Sequence, residues 1–142
     1  MLRYRFWILI PLVLLVVAGP ANAQGPAVLS LQAAPFMGTW VFTMTEPPHF
    51  KGSVQTVRIW EQDGRVAATV QVGKFPAHTV TGISRDGDML VLTISHDAPS
   101  PIRENGVALR AVIMLTAEGD GMRMAQMLDA SETIKRGIGT KQ

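Results

Sequence analysis

The sequence predicts an all-β protein: an eight-stranded antiparallel up-and-down β-barrel, preceded by a cleavable signal peptide. Three observations lead there. From Gly38 onward the apolar residues recur with a period close to two, where a helix would need about 3.6. Asp63-Gly64, Asp86-Gly87 and the Gly119-Asp120-Gly121 link punctuate that pattern as tight hairpin turns do. No helical segment of crossover length interrupts it, so neighbouring strands are expected to pair antiparallel.

The N-terminus has a different grammar. Arg3 and Arg5 give a basic start, and Phe6 to Val17 is apolar apart from Pro11. Gly19-Pro20 breaks any helix, and Ala21-Asn22-Ala23 has the small-x-small spacing that signal peptidase accepts. The apolar run is shorter than the roughly 20 residues of a membrane span. Residues 1–23 therefore read as a signal peptide cleaved after Ala23, and the mature protein as periplasmic or secreted, with no stable membrane span. Cleavage leaves 119 of the 142 residues, enough for one domain. Losing Arg3 and Arg5 takes Lys+Arg from 13 to 11, against 11 Asp+Glu. A formally neutral chain without a basic cluster is not expected to bind nucleic acid or anionic membranes. With no cysteine in the chain, the core must hold the fold without disulfides.

Residues 24–37 contain Ala, Pro and Gly and read as an N-terminal tether; 38–142 form the barrel domain. Strands are expected at 38–45, 53–61, 65–72, 78–85, 88–96, 106–117, 121–129 and 131–138. In the first, Trp40, Phe42 and Met44 share one face. In the second, Val57 and Ile59 oppose Arg58 and Trp60. In the third, Val66, Ala68, Val70 and Val72 line up. In the fifth, Leu90, Leu92 and Ile94 do so, and in the sixth Val107, Leu109, Ala111, Ile113 and Leu115. Rolling such a meander into a barrel removes both sheet edges; a two-sheet sandwich is the rival architecture. An outer-membrane barrel is disfavoured. Its aromatic girdles would have to come from two Trp and no Tyr after cleavage, and Arg58, Arg110 and Arg123 fall on the outward face.

In a meander, alternate links lie at the same end. The three tight links share the end where the first strand begins, which makes that end a closed base. The longer links over 46–52, 73–77 and 97–105 gather at the other end, an elaborated mouth. Pro35-Phe36-Met37-Gly38-Thr39-Trp40 resembles the Gly-x-Trp signature that opens the first strand of the calycin superfamily, the lipocalins and fatty-acid-binding proteins. The resemblance implies that Gly38 and Trp40 lie at the closed base, with an arginine from the last strand laid across the Trp. The matching position here is Arg136. The chain departs from lipocalins in lacking a Thr-Asp-Tyr motif, and from fatty-acid-binding proteins in lacking room for a helical lid.

Site residues are sought at the mouth. Phe50 and Phe75, flanked by Lys51 and Lys74, could gate an apolar cavity, anchor on a partner, or tuck over the barrel end, and Arg103 stands in another of the mouth links. His49, His78 and His96 are the three histidines, and all map to that end. Three imidazoles could hold zinc or copper, but their spacing is not that of ligands, so solvated histidines and no cofactor are expected. Met122 and Met124 share a strand face while Met127 points the other way, which favours core filling over a thioether copper site. Ser95-His96-Asp97 is not a triad, because neighbouring strand residues point to opposite faces. With no nucleophile–base pair and no paired carboxylates, an enzyme is not expected. Two functions remain: a carrier holding a small apolar molecule at the mouth or in the interior, and an envelope protein-interaction or inhibitor module with a solid core that binds through its mouth loops. A periplasmic Cu/Zn binder is a lesser third.

Overall fold

The computed structural model describes residues 28–129 and 131–142; the expected signal peptide and residues 24–27 lie outside them. The described chain is all-β. Its strands are β1 Gly38–Glu46, β2 Val54–Gln62, β3 Arg65–Val72, β4 His78–Thr79, β5 Gly82–Asp86, β6 Met89–Ile94, β7 Ile102–Glu104, β8 Val107–Leu109, β9 Ala111–Glu118, β10 Gly121–Leu128 and β11 Ile134–Lys141. Nine of them form one curled antiparallel sheet in the order β4-β3-β2-β1-β11-β10-β9-β6-β5, and β7 and β8 form a separate hairpin. The last strand zips against the first, from Trp40 opposite Lys141 to Glu46 opposite Arg136.

The expected count of eight strands is corrected to nine plus two, for two physical reasons. The segment expected as one strand over 78–85 serves both edges of the sheet. Its first part, β4, pairs with β3, and its second part, β5, pairs with β6. The handover falls between Val80, whose N–H donates to the Ala68 carbonyl (3.0 Å), and Thr81, whose N–H donates to the Thr93 carbonyl (2.8 Å). One continuous segment thus leaves one edge and joins the other, which gives the sheet its barrel-like form. The strand expected over 106–117 breaks at Arg110, where the Asp129 N–H claims the carbonyl (2.9 Å). Its first part, β8, turns back on β7 through Asn105-Gly106, which take φ of 50° and 80°. Two successive positive φ values make a primed hairpin turn, for which Asn-Gly is the favoured pair.

The base is built differently from the expectation in two respects. First, residues 28–36 are not a tether. A 3₁₀ helix over Ser30–Phe36 folds under the barrel and buries Ala33 and Phe36, and Val28 is buried just before it. The Trp40 indole N–H donates to the Phe36 carbonyl at 2.8 Å, so the buried indole keeps a polar partner. Second, Arg136 does not cover Trp40. β11 runs three residues beyond the expected end, which brings Lys141 beside Trp40, its Nζ 5.6 Å from the ring centroid. Arg136 stands at the opposite end of the strand and pairs with Glu46 at 2.9 Å. Gly38 has a φ of +112°, and a Cβ there would also lie 2.8 Å from Lys141 Cε, so glycine suits the corner where the chain turns into β1.

Above the base the interior is packed. Trp40, Phe42 and Met44 project inward from β1; Val57 and Ile59 from β2; Leu90, Leu92 and Ile94 from β6; and Met122 and Met124 from β10, all at most 4% exposed. Space for the two largest comes from β11. Gly139 lies opposite Phe42 and Gly137 opposite Met44. A Cβ on Gly139 would sit 2.5 Å from the Phe42 ring, and one on Gly137 2.6 Å from the Met44 methyl. The side chains of β1 lean into the room that β11 leaves, as close packing requires.

Candidate functional site at the mouth

The inward faces change character at one level near the mouth. On β2, reading toward the mouth, Ile59 and Val57 are followed by Gln55. On β10, Met122 and Met124 are followed by Gln126. On β11, Gly139 and Gly137 are followed by Lys135. Since side chains alternate along a strand, these three polar residues occupy positions of core parity. Gln126 and Lys135 are direct cross-strand partners. Above this level opens a cavity of about 490 Å³, within the span of about 300–1,000 Å³ usual for small-molecule sites.

Its walls come from several loops and strands. Phe50 rises from a short 3₁₀ helix over Pro48–Phe50; Val72 and Phe75 come from the end of β3 and the link after it; Ile102 comes from β7 and Leu128 from β10. Phe75 is 69% exposed and forms the outer rim. The Phe50 carbonyl accepts the Ser53 hydroxyl at 2.6 Å, which ties that loop down. His78 also lines the cavity, and its Nδ1 lies 2.9 Å from the Ser100 carbonyl. A carbonyl only accepts, so Nδ1 carries the hydrogen and Nε2 is left as an acceptor in the neutral ring.

Two features of the floor are unusual for a barrel interior. Gln55 and Gln126 are 3% and 2% exposed, and the Oε1 of each has no hydrogen-bond partner within the protein. A buried polar atom left unpaired costs about 1–3 kcal/mol, so such atoms are rare without a reason. Lys135 is half-buried, with Nζ 3.9 Å from the Phe50 ring centroid. Burial pushes its ammonium below the ordinary lysine value of 10.5, and Glu104 pulls the other way. The floor therefore combines two amides with a partly desolvated amine.

The sequence-expected residues distribute as follows. Phe50, Phe75, Arg103 and His78 line the cavity, whereas Lys51 and Lys74 are exposed and do not. His49 is exposed and stacks on Phe50, with ring centroids 4.2 Å apart, and His96 is exposed outside the cavity lining. The three imidazoles do not converge, and among the described residues no three His, Cys, Asp or Glu side chains group as a metal site would require. Ser95 bonds Asp97 directly, and that bond is the main cause that holds the Asp97 carboxyl below its ordinary range, with a smaller pull from the charge of His96. Gln55, Gln126 and Lys135 escaped the sequence reading. Their signal is a polar residue at core parity, two places beyond an apolar inward run.

No family model matches this sequence, and no curated protein matches it. Among solved structures, the chain is similar to the crystal structure of secretory abundant heat soluble protein 4 from Ramazzottius varieornatus. The TM-score is 0.46 with 14% identity, and the match covers 76% of this chain and 95% of that chain.

Proposed function

We propose that the protein is an exported binding protein that seats one small, largely apolar molecule at the mouth of its barrel. The observation that carries this reading is the pair of buried, unpaired amides at the floor of the 490 Å³ cavity, under walls of Phe50, Val72, Ile102 and Leu128. Both oxygens are closed off as the side chains lie, and a half-turn of either amide would bring its oxygen to a ligand in the cavity. The interior below is no second site, because Phe42, Met44, Leu92, Ile113 and Met124 fill it. Export follows from the basic, apolar and small-x-small succession of residues 1–23. Kinship with the calycins rests on Gly38 and Trp40 at the start of the first strand, with Lys141 taking the place of the expected arginine.

Two measurements test the reading. N-terminal sequencing of the mature protein should begin at Gln24. A fluorescent acyl probe titrated into that protein should bind with one-to-one saturation, and Leu128→Trp, which puts an indole into the cavity wall, should weaken it. A probe that binds the variant as well as the parent would remove the mouth as its site. The 69% exposure of Phe75 at the rim favours a second reading, docking of an envelope protein through the mouth loops. In that case Phe75→Ser would abolish capture of the partner.

A further inference from the structure

The polar end of the ligand can be specified from the floor of the cavity; this inference rests on the ligand-binding reading above. The oxygen and nitrogen of a Gln amide exchange places by a half-turn, so Gln55 and Gln126 can each offer the cavity either a carbonyl or an NH₂. A secondary amide has one donor and one acceptor, so it pairs with a Gln amide in either orientation. An ionised fatty acid has acceptors only, so it can pair with the NH₂ of each amide but with neither carbonyl. Beside Gln126, its cross-strand partner Lys135 supplies a cation, and Arg103 supplies another at the rim. Glu104 is the one carboxylate that lines the cavity, and His78 is held with Nδ1 on a backbone carbonyl. The two cations outnumber the single anion, which favours an acidic head group. Phe50, Val72, Ile102 and Leu128 provide apolar wall for a chain.

We infer that the mouth selects an amphiphile whose acyl chain is joined through a secondary amide to an acidic head, as in an N-acyl amino acid, with the amide on Gln55 and Gln126 and the carboxylate at Lys135. The chemistry needs no cofactor and no covalent step.

The probes are N-dodecanoylglycine, N-dodecanoylsarcosine, which is the same molecule with the amide N–H methylated, and dodecanoate. Calorimetric titration of the mature protein should show the glycine compound binding about tenfold tighter than the sarcosine compound, the size of one hydrogen bond to a buried group. Dodecanoate should be at least as weak as the sarcosine compound. In Gln55→Leu/Gln126→Leu the preference for the N–H should disappear, and Lys135→Met should weaken both acyl amino acids while keeping their ratio. Side-chain NH₂ resonances of Gln55 and Gln126 in the unmodified protein give a second readout that needs no variant, and they should shift with the glycine compound. Equal affinity of all three probes, with unmoved Gln resonances, overturns the inference and leaves the mouth as a general apolar site. Failure of every probe to bind overturns the ligand-binding reading itself.

Discussion

Gly139→Ala tests the packing that makes the barrel solid. The added Cβ would lie 2.5 Å from Phe42 Cε1, 2.8 Å from Cδ1 and 2.9 Å from Cζ. Carbon atoms rest at about 3.5–4.0 Å, so the ring must move by roughly 1 Å. Phe42 has 0% exposure, and Trp40 and Met44 on the same face of the strand are buried beside it, so the ring has little room to move. Overpacking of this kind costs about 1–3 kcal/mol. Replacing a glycine restricts the unfolded chain and recovers about 0.4–1 kcal/mol. The net loss should centre near about 1.3 kcal/mol, within about 0–2.6, which is about 5–10 °C in Tm for a domain near 100 residues. Urea denaturation followed by circular dichroism, with a melting curve beside it, measures both. A double-mutant cycle with Phe42→Leu sharpens the test, because the smaller side chain should relieve the clash and show coupling of at least about 0.5 kcal/mol. An unchanged midpoint for Gly139→Ala, or additive effects in the cycle, would refute the claim that β11 glycines make room for β1 side chains.

Four further outcomes follow from the same geometry. Lys141→Ala should lower stability by about 0.5–1 kcal/mol and shift Trp emission, since the ammonium sits over Trp40; Arg136→Ala should leave the emission unchanged because its partner is Glu46. Phe36→Ala should cost about 3–5 kcal/mol in urea unfolding, a loss that a tether could not produce, because Phe36 is 1% exposed beneath the barrel. The Lys135 ammonium sheds its proton more readily in the folded than in the unfolded protein. Between the two titrations the unfolded state holds more protons, so stability should rise with pH below and up to 10.5, and Lys135→Met should flatten that rise in urea midpoints. Gln55→Leu/Gln126→Leu should raise the stability read from urea unfolding by about 2–6 kcal/mol at most, since two unpaired buried oxygens are replaced by apolar groups of similar size.

Much of the fold was legible because alternation is a strong signal wherever one face is buried. Trp40, Phe42 and Met44 on one strand, and Leu90, Leu92 and Ile94 on another, assign their own faces and registers. The sheet order was harder, because it depends on which partner a strand finds. Nothing in His78 to Asp86 announces that the segment changes partner between Val80 and Thr81; both halves look like strand because both are. Asn105-Gly106 did carry a hairpin signal, but the three-residue strands around it are too short to show alternation. The end of β11 was misplaced because Gly137, Gly139 and Thr140 interrupt the apolar rhythm by which strands are recognised. Those glycines are inward-facing core positions whose volume is supplied by β1. Histidines and loop aromatics drew attention to the mouth, yet the deepest polar groups there are two glutamines on strands, a residue type with no catalytic or metal signature to advertise it.

The position of the site follows from how the barrel is filled. A barrel this narrow is near the limit at which side chains alone occupy the interior. This chain fills it from the base upward with Phe36, Trp40, Phe42, Met44, Met122 and Met124, and stops at the level of Gln55, Gln126 and Lys135. Continuing the same apolar series by two residues on each strand would complete the core and close the cavity. Instead the inward face of β11 runs Lys135, Gly137, Gly139, Lys141, with an ammonium over an aromatic ring at each end: Phe50 at the mouth and Trp40 at the base. The two ends are not equivalent. At the base, Trp40 finds the Phe36 carbonyl and its polar group is satisfied, which is the arrangement of a structural plug. At the mouth the amide oxygens find nothing in the protein. Stability alone would favour leucine at both positions, so the mouth end of the barrel is not filled for stability as the base is.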